Sequence, residues 1–177
     1  MNDKLKVILE KADQIDLLIS NMFHATLEEL QELEVKPEVL ESSELLSIIN
    51  ASDYNGYVTM TRVPLCMIIF DYLRLQQVMD NVISNSYKYA NTSIQIRFEV
   101  NEDFLEVEIK DFGKGISQEE ISFIFNKFRR GKNAKGINGT GLGLYISDYF
   151  MKQMGGKISC YNVADGFCVK LSLALAR

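Results

Sequence analysis

The chain contains only two prolines, and the first of them, Pro37, follows a stretch without glycine or proline that runs from residue 4 to residue 34. Mostly apolar residues recur there every seven positions, with a companion set three positions later, which is the spacing of a helix that packs against other helices. The two sets are Leu5, Ala12, Ile19, Thr26 and Leu33, and Ile8, Ile15 and Met22. A helix of about 30 residues is roughly 45 Å long, more than one small domain can cover. We therefore expect residues 1–36 to form a helical arm that packs in a bundle.

Beyond Pro37 the spacing of apolar residues changes. Some segments keep a helical spacing and others alternate every second residue, which is typical of a domain with both helices and strands. Helices are predicted at 43–51, 71–89, 118–128 and 142–154. Strands are predicted at 57–61, 65–70, 93–100, 104–110, 157–162 and 166–175. The fold class that follows is α+β, a two-layer sandwich in which helices cover a mixed, mostly antiparallel sheet, preceded by the N-terminal long helix.

Composition excludes several classes of function. Nineteen Lys and Arg against twenty-four Asp and Glu give a net charge of −5, so we expect no nucleic-acid partner. With three cysteines and one histidine, His24, the chain could build a four-ligand zinc site only by using all of them. The single histidine also argues against a Ser-His-Asp hydrolase. No apolar run reaches the roughly 18–20 residues that span a bilayer. We expect this portion of the protein to be cytoplasmic, with reduced thiols.

A first polar cluster interrupts the apolar stripe of the helix predicted at 71–89. Asn81, Asn85 and Lys88 are separated by four and three positions, so they share one helical face, and Tyr89 follows them. Two amides and an ammonium group on one face can hold phosphate oxygens and a hydrated Mg²⁺, which prefers oxygen ligands. A solvated helix face with incidental asparagines would show the same pattern.

A second cluster, Asp111-Phe112-Gly113-Lys114-Gly115, directly follows a predicted strand. A carboxylate at a strand end can accept a hydrogen bond from an exocyclic amine, and the glycines allow a flat base to lie against the backbone. An ordinary strand-to-helix turn, with Ser117 as the cap of the next helix, is the alternative interpretation.

A third cluster, rich in glycine, precedes the helix predicted at 142–154. It consists of Gly139, Thr140, Gly141, Leu142 and Gly143. Closely spaced N–H groups and the positive end of the helix dipole favour an anion there, although a flexible hinge is the alternative. The preceding loop carries basic residues that could close over phosphates or stay solvated. They are Arg129, Arg130, Lys132 and Lys135.

The order and spacing of these clusters resemble the ATP-binding catalytic domain of sensor histidine kinases. That domain has the Bergerat fold, which it shares with the gyrase, Hsp90 and MutL ATPases. The matching motifs are the N box at 81–89, the G1 box at 111–115, the phenylalanine-rich F box at 123–128 and the G2 box at 139–143. The arm at 1–36 is similar to the second helix of the kinase dimerisation hairpin, and 37–177 is similar to the catalytic domain.

On the adenine side, the resemblance implies a role for each matching residue. Asp111 would accept a hydrogen bond from the N6 amine, and Gly113 and Gly115 would shape the pocket. Tyr89 would pack near the adenine or the ribose.

On the phosphate side, the resemblance implies that Asn85 ligates Mg²⁺ with support from Asn81, and that Lys88 meets a phosphate. Arg129 or Arg130 would approach the γ-phosphate. The backbone of the glycine-rich segment would surround the triphosphate, through Gly139, Thr140, Gly141, Leu142 and Gly143. Such a site accelerates phosphoryl transfer by positioning and charge neutralisation.

The activity that the resemblance implies is that of an ATP-dependent protein histidine kinase. The γ-phosphoryl group would pass to a histidine and then to the receiver domain of a response regulator. The intact protein would be a homodimer through the arm and would be attached to the inner or plasma membrane. His24 lacks the family's acceptor context, so the acceptor is expected outside this chain and self-phosphorylation is not expected. Ser86 and Ala90 replace the usual Ala and Thr of the N box.

Two alternatives remain at this point. The chain could be a regulatory module that senses ATP or docks a partner without kinase activity. It could also hydrolyse ATP like the gyrase and MutL proteins, which use a carboxylate four residues before the magnesium asparagine. Asn81 occupies that position here, and the nearest carboxylates are Asp80 and Asp71. Asp80 points away from the asparagine face by about 100°.

Overall fold

The computed structural model describes residues 34–128 and 141–177. Val35 to Arg177 belong to one compact unit. The arm predicted at 1–36 lies almost wholly outside the described residues, so the arm and its boundary stay predictions. Within 34–128 and 141–177, no helix is both long and apolar enough to cross a membrane.

Apart from the first strand, the elements follow the predicted order. The strands are β1 (Glu38–Glu41), β2 (Val58–Met60), β3 (Met67–Phe70), β4 (Ile94–Val100), β5 (Phe104–Asp111), β6 (Lys157–Val163) and β7 (Gly166–Ala174). The helices of the described residues are α1 (Glu44–Ser52), α2 (Tyr72–Tyr89), α3 (Gln118–Ile121) and α4 (Gly143–Gln153). The predicted α+β class and the predicted hairpin of β4 and β5 are confirmed.

One five-stranded sheet carries the domain, in the order β2-β4-β5-β7-β6. β2 runs parallel to β4, and the pairs β4–β5, β5–β7 and β6–β7 are antiparallel, so the predicted mixed and mostly antiparallel sheet is confirmed. β1 and β3 pair separately as a two-stranded antiparallel sheet.

The core lies between the five-stranded sheet and the helices. Strand β5 alternates strictly between half-buried and buried positions, and its buried row consists of Leu105, Val107, Ile109 and Asp111. Helix α2 buries an apolar stripe that includes Val78, Met79, Val82 and Ile83. Because side chains along a strand alternate between faces, the carboxylate of Asp111 continues an apolar row and lies on the helix-covered side of the sheet.

Helix α2 begins as predicted. Asp71 is its N-cap and accepts a hydrogen bond from the backbone N–H of Arg74 at 3.1 Å. Its other carboxylate oxygen accepts from the N–H of Lys36 at 2.9 Å. Asp71 thus caps the start of α2. Its carboxylate accepts from a backbone N–H of the first turn that has no partner inside the helix.

Two local predictions were wrong. Strand β1 was not predicted. Of its four residues only Leu40 is half-buried and the other three are exposed, so this short strand shows little alternation. The helix predicted at 118–128 ends at Ile121. The chain then makes tighter three-residue turns, in which the N–H of Phe123 bonds the carbonyl of Glu120 and that of Asn126 bonds the carbonyl of Phe123.

Tyr87 joins the end of α2 to the turn that follows α1. Its hydroxyl donates a hydrogen bond to Asp53. The same carboxylate accepts from the backbone N–H groups of Gly56, Tyr57 and Val58 at 2.9–3.2 Å. Burial, followed by the bond to Asp53, raises the pKa of Tyr87, so the hydroxyl stays a donor at any ordinary pH.

Replacing Tyr87 with Phe is expected to lower the free energy of unfolding by about 2 kcal/mol, because a half-buried carboxylate loses its hydroxyl donor. Urea denaturation measures the loss. Tyr54→Phe keeps the ring that packs edge-on against Tyr87, with 5.1 Å between ring centroids, and should change stability little. Equal losses in the two variants would contradict this role of the Tyr87 hydroxyl.

Candidate functional site

Helix α2 presents the two asparagines of the first cluster on one half-buried face. The Nδ2 of Asn85 lies 3.4 Å from the Oδ1 of Asn81, and the Nδ2 of Asn81 donates to the Oγ of Ser147 on α4 at 2.9 Å. Ser147 is itself buried. This chain of bonds orients the Asn85 amide so that its Oδ1 faces away from Asn81, as an acceptor to which none of the described residues donates a hydrogen bond.

The first residue of α4 lies against the same asparagine. An ideal Cβ at Gly143 would lie 2.0 Å from the Asn81 Oδ1, so a side chain there would displace the Asn81 amide. Gly141 has a φ of +72°, in the left-handed region that favours glycine. Leu142 is the N-cap residue between them. The structure therefore brings the end of the third cluster onto the first.

Asp111 of the second cluster lies beside the other end of α2. It is 7% exposed, and its Oδ1 accepts from the N–H of Gly113 at 2.9 Å. Burial raises the pKa of its carboxyl from the ordinary value of 3.8, while hydrogen bonds from Gly113, the Ser86 side chain and the Phe167 backbone oppose that rise. The site thus holds a buried carboxylate that is oriented by several donors and can accept one more hydrogen bond.

The backbone after Asp111 runs close to α2. A Cβ at Gly113 would lie 2.7 Å from the Cβ of Ala90, so a side chain there would push the loop off the helix. The N–H of Phe112 donates to the Oγ1 of Thr92 at 3.0 Å. Gly115 has a φ of +68°. Helix α2 therefore carries the first cluster and lies against the second cluster and the described end of the third.

Lys88 and Tyr89 are exposed on the last turn of α2, and Tyr89 is 44% exposed. They are open to a ligand, and their predicted contacts with phosphate and with adenine or ribose stay predictions. Four other predicted site residues lie outside the described residues, and their roles stay predictions as well. These are Arg129, Arg130, Gly139 and Thr140.

The carboxylate next to the asparagine pair is engaged elsewhere. The Oδ1 of Asp80 accepts from the Oγ of Ser52 at 2.7 Å and from the Nε2 of Gln76 at 3.0 Å, which ties α2 to α1. Asp71 caps α2. In the part of the chain that the structure describes, no three His, Cys, Asp or Glu side chains cluster as metal ligands. A metal held here would depend on Asn85 and on the ligand's own oxygens.

Several residues of this site belong to none of the predicted clusters. Ser86 stands in the sequence only as a departure from the family pattern, yet its side chain is one of the groups that oppose the rise in the pKa of Asp111. Ser147 stands one helical turn after Gly143, so the face it shares with that glycine could have identified it. Thr92 bonds Phe112 of the second cluster and Asn162 bonds Ile116, the residue after it, and neither leaves a local signal in the sequence.

Residues 70–177 match the model of one protein family, described as histidine kinase-, DNA gyrase B-, and HSP90-like ATPase. The sensor protein SrrB of Staphylococcus aureus strain MRSA252 is 26% identical over 168 residues, which cover 89% of this chain and 29% of SrrB. The chain thus spans less than a third of the length of the curated relatives it matches.

Solved structures share the fold. The mycobacterial sensor histidine kinase MprB has a TM-score of 0.63 at 22% identity, over 80% of this chain and 98% of that one. The ATP binding domain of PrrB from Mycobacterium tuberculosis has a TM-score of 0.63 at 22% identity, over 81% and 98%. The fold and the ATP-binding family predicted from the motifs are confirmed.

The raised pKa of Asp111 predicts a pH dependence of stability. A carboxyl whose pKa is raised by folding stabilises the protein fully below its unfolded pKa of about 3.9, and that contribution is lost as the pH rises through the folded pKa. Asp111→Asn removes the charge, so the free energy of unfolding of the variant relative to the wild type should rise between pH 4 and 7. Urea denaturation at steps of about half a pH unit measures this difference.

Asp103→Asn is the matched control, since it removes an exposed carboxylate near the other end of β5. It should show no such gain with rising pH. A relative stability of Asp111→Asn that falls over the same interval would contradict the prediction.

Proposed function

Because the chain belongs to the family of histidine kinase-, DNA gyrase B- and HSP90-like ATPases, we propose that it is the ATP-binding catalytic part of a two-component sensor histidine kinase. The γ-phosphoryl group of ATP passes to a histidine nitrogen of the intact protein, and then to an aspartate in the receiver domain of a response regulator. The observation that carries the proposal is the convergence of three clusters on α2, with the neighbouring carboxylate of Asp80 bonded away from them.

Adenine is selected by Asp111. The carboxylate accepts a hydrogen bond from the N6 amine, because it is buried on the helix side of the sheet and already oriented by Gly113 and Ser86. A buried acceptor that is left without its donor is costly, so a base without an exocyclic amine in this place is rejected. Gly113 and Gly115 keep the loop thin enough for a flat ring, and Tyr89 packs near the adenine or the ribose.

The phosphates lie between the asparagine face and the start of α4. N–H groups at the first turn of a helix attract anions, and the glycine at 143 allows that turn to approach Asn81 closely. Lys88, Arg129 or Arg130, and the backbone of Gly139, Thr140 and Gly141 supply further donors and positive charge in this proposal.

The oxygen of Asn85 fits a magnesium ion. Its amide is turned by Asn81 so that the Oδ1 faces away, and Mg²⁺ takes such oxygens together with waters and phosphates. When bound, the ion neutralises phosphate charge and holds the triphosphate for in-line attack. Asn81 orients Asn85 and has no direct contact with the ion in this assignment.

Phosphoryl transfer is favoured over rapid hydrolysis. Hydrolytic relatives need a carboxylate that activates water next to the magnesium asparagine, and the chain has the amide of Asn81 there. Asp80 is held by Ser52 and Gln76 against α1. If Asp80 were a base in spite of this, replacing it with Ala would abolish ATP turnover; we expect turnover by the wild type to be slow and unchanged in Asp80→Ala.

Two features of the intact protein complete the proposal. Residues 1–36 form the second helix of a dimerisation hairpin, so the intact kinase is a homodimer through this arm. The acceptor histidine and a membrane attachment belong to other parts of the intact protein.

Calorimetric titration with a non-hydrolysable ATP analogue tests the nucleotide site. Mg²⁺ is expected to strengthen binding, and Asp111→Asn to weaken it by about ten- to a hundredfold, because the base loses its acceptor. Asp103→Asn should bind like the wild type. No binding at millimolar analogue would favour a docking module without kinase activity.

Transfer is tested with labelled ATP. The chain alone should show little self-labelling, and it should label an added segment that carries the acceptor helix of a sensor kinase. Strong labelling of His24 would contradict the assignment of the acceptor to another segment.

A further inference from the structure

The loop after Asp111 is held by a residue that none of the four motifs contains. Asn162, near the end of β6, makes two hydrogen bonds to the backbone of a single residue, Ile116. Its Oδ1 accepts from the N–H of Ile116 at 3.1 Å, and its Nδ2 donates to the carbonyl of Ile116 at 2.7 Å. The amide thus pairs with the loop backbone in both directions, as a neighbouring strand would.

Sheet geometry places Asn162 in the same row as Asp111. Phe167 of β7 is opposite Asp111 of β5 and also opposite Asn162 of β6, so the three residues form one line across three strands. Residues directly opposite each other in antiparallel strands point to the same face. The two ends of the row are about 10 Å apart, since neighbouring strands lie about 4.8 Å apart.

The loop is anchored at both ends of this row. At its start, the β5–β7 ladder and the Thr92 hydroxyl fix Asp111 and Phe112, and Gly166 allows that backbone to pass so close that a Cβ would lie 1.9 Å from the Asp111 carbonyl oxygen. At its end, Asn162 fixes Ile116. The glycines of the second cluster lie between the two anchors.

Gly115 is fitted to this second anchor. A Cβ at Gly115 would lie 2.2 Å from the Oδ1 of Asn162, so a side chain would displace the amide that holds the next residue. Its φ of +68° also turns the chain toward Ile116. The second glycine of the cluster is therefore matched to a side chain on β6, 47 positions further along the chain.

We propose that Asn162 is a positioning residue for base selection. It fixes how far the loop at 112–116 lies from the row of sheet residues that runs from Asp111 to Asn162. The inference rests on the proposed function, since it concerns the same adenine site. Asn162 touches neither the base nor the phosphates in this role. It acts through the backbone of Gly113 to Ile116, which forms the edge of the pocket beside Asp111.

The position of Asn162 makes the effect local. It is exposed, and hydrogen bonds of exposed side chains contribute little to global stability. Loss of the amide should therefore loosen the loop without unfolding the sheet. Asn101 offers a matched control: its Oδ1 accepts from the N–H groups of Asp103 and Phe104, which holds the β4–β5 turn at the other end of β5.

The test compares Asn162→Ala with Asn101→Ala by calorimetric titration. The probes are non-hydrolysable analogues of ATP and GTP, and inorganic triphosphate, all with Mg²⁺. Asn162→Ala is expected to bind the ATP analogue about tenfold more weakly, the size expected from one or two lost hydrogen bonds. Its preference for the ATP over the GTP analogue should fall by a similar factor, with triphosphate binding unchanged. Asn101→Ala should keep the preference of the wild type.

Two further measurements separate positioning from a general effect on folding. In the nucleotide-free protein, exchange of the Ile116 amide hydrogen should become about tenfold faster in Asn162→Ala, since its acceptor is gone. In an Asp111→Asn background, Asn162→Ala should cause no further loss of base preference, because both changes act on one interaction.

The outcomes distinguish the inference from the function on which it rests. If the wild type binds neither nucleotide analogue, the proposed function fails and the inference fails with it. If the wild type binds and Asn162→Ala keeps the full preference for ATP, the inference alone is overturned. Equal weakening of both analogues and of triphosphate would also overturn it, in favour of a general role in stability.

Discussion

The contact between α2 and the first turn of α4 is the interaction on which the rest of the site depends. A side chain at 143 would displace the Asn81 amide from this contact, which is completed by the bond from Asn81 to the buried hydroxyl of Ser147. The same helix α2 carries Ser86, and the residue that caps its C-terminus, Ala90, lies against Gly113 of the second cluster. One amphipathic helix thus buries its apolar stripe in the core and aligns three polar clusters that are distant in sequence.

The surroundings of Asp111 balance opposed electrostatic effects. The alternation of β5 carries Asp111 into a buried row, and burial by itself favours the neutral acid. Donors from Gly113, Ser86 and Phe167 favour the anion and fix its direction. Burial of this carboxyl therefore has some cost in stability, and under the proposed function it provides an acceptor that needs no reorganisation when a base binds.

Much of this architecture could be predicted from the sequence, because its signals are local. The cap at Asp71, the stripe of α2, the hairpin of β4 and β5 and the glycines before α4 all lie within short windows, and the structure contains each element. What escaped prediction depends on distant pairs. Asn162 and Ile116 are 46 positions apart, and β1 finds its partner only after the helix α1 has intervened. Such bonds leave no periodic trace along the chain.

Under the proposed function, the link between Asp80, Ser52 and Gln76 has a consequence for the timing of signalling. In that case a carboxylate bonded between α1 and α2 is kept from activating water, and a bound nucleotide would persist in its reactive form. Under the proposed function, the domain keeps its ATP bound until the acceptor histidine reaches it. The rate of phosphorylation is then limited by how often the ATP-binding domain meets the part of the intact protein that carries the acceptor histidine. A stimulus that changes the distance between these two parts would control phosphorylation without any change in the nucleotide site.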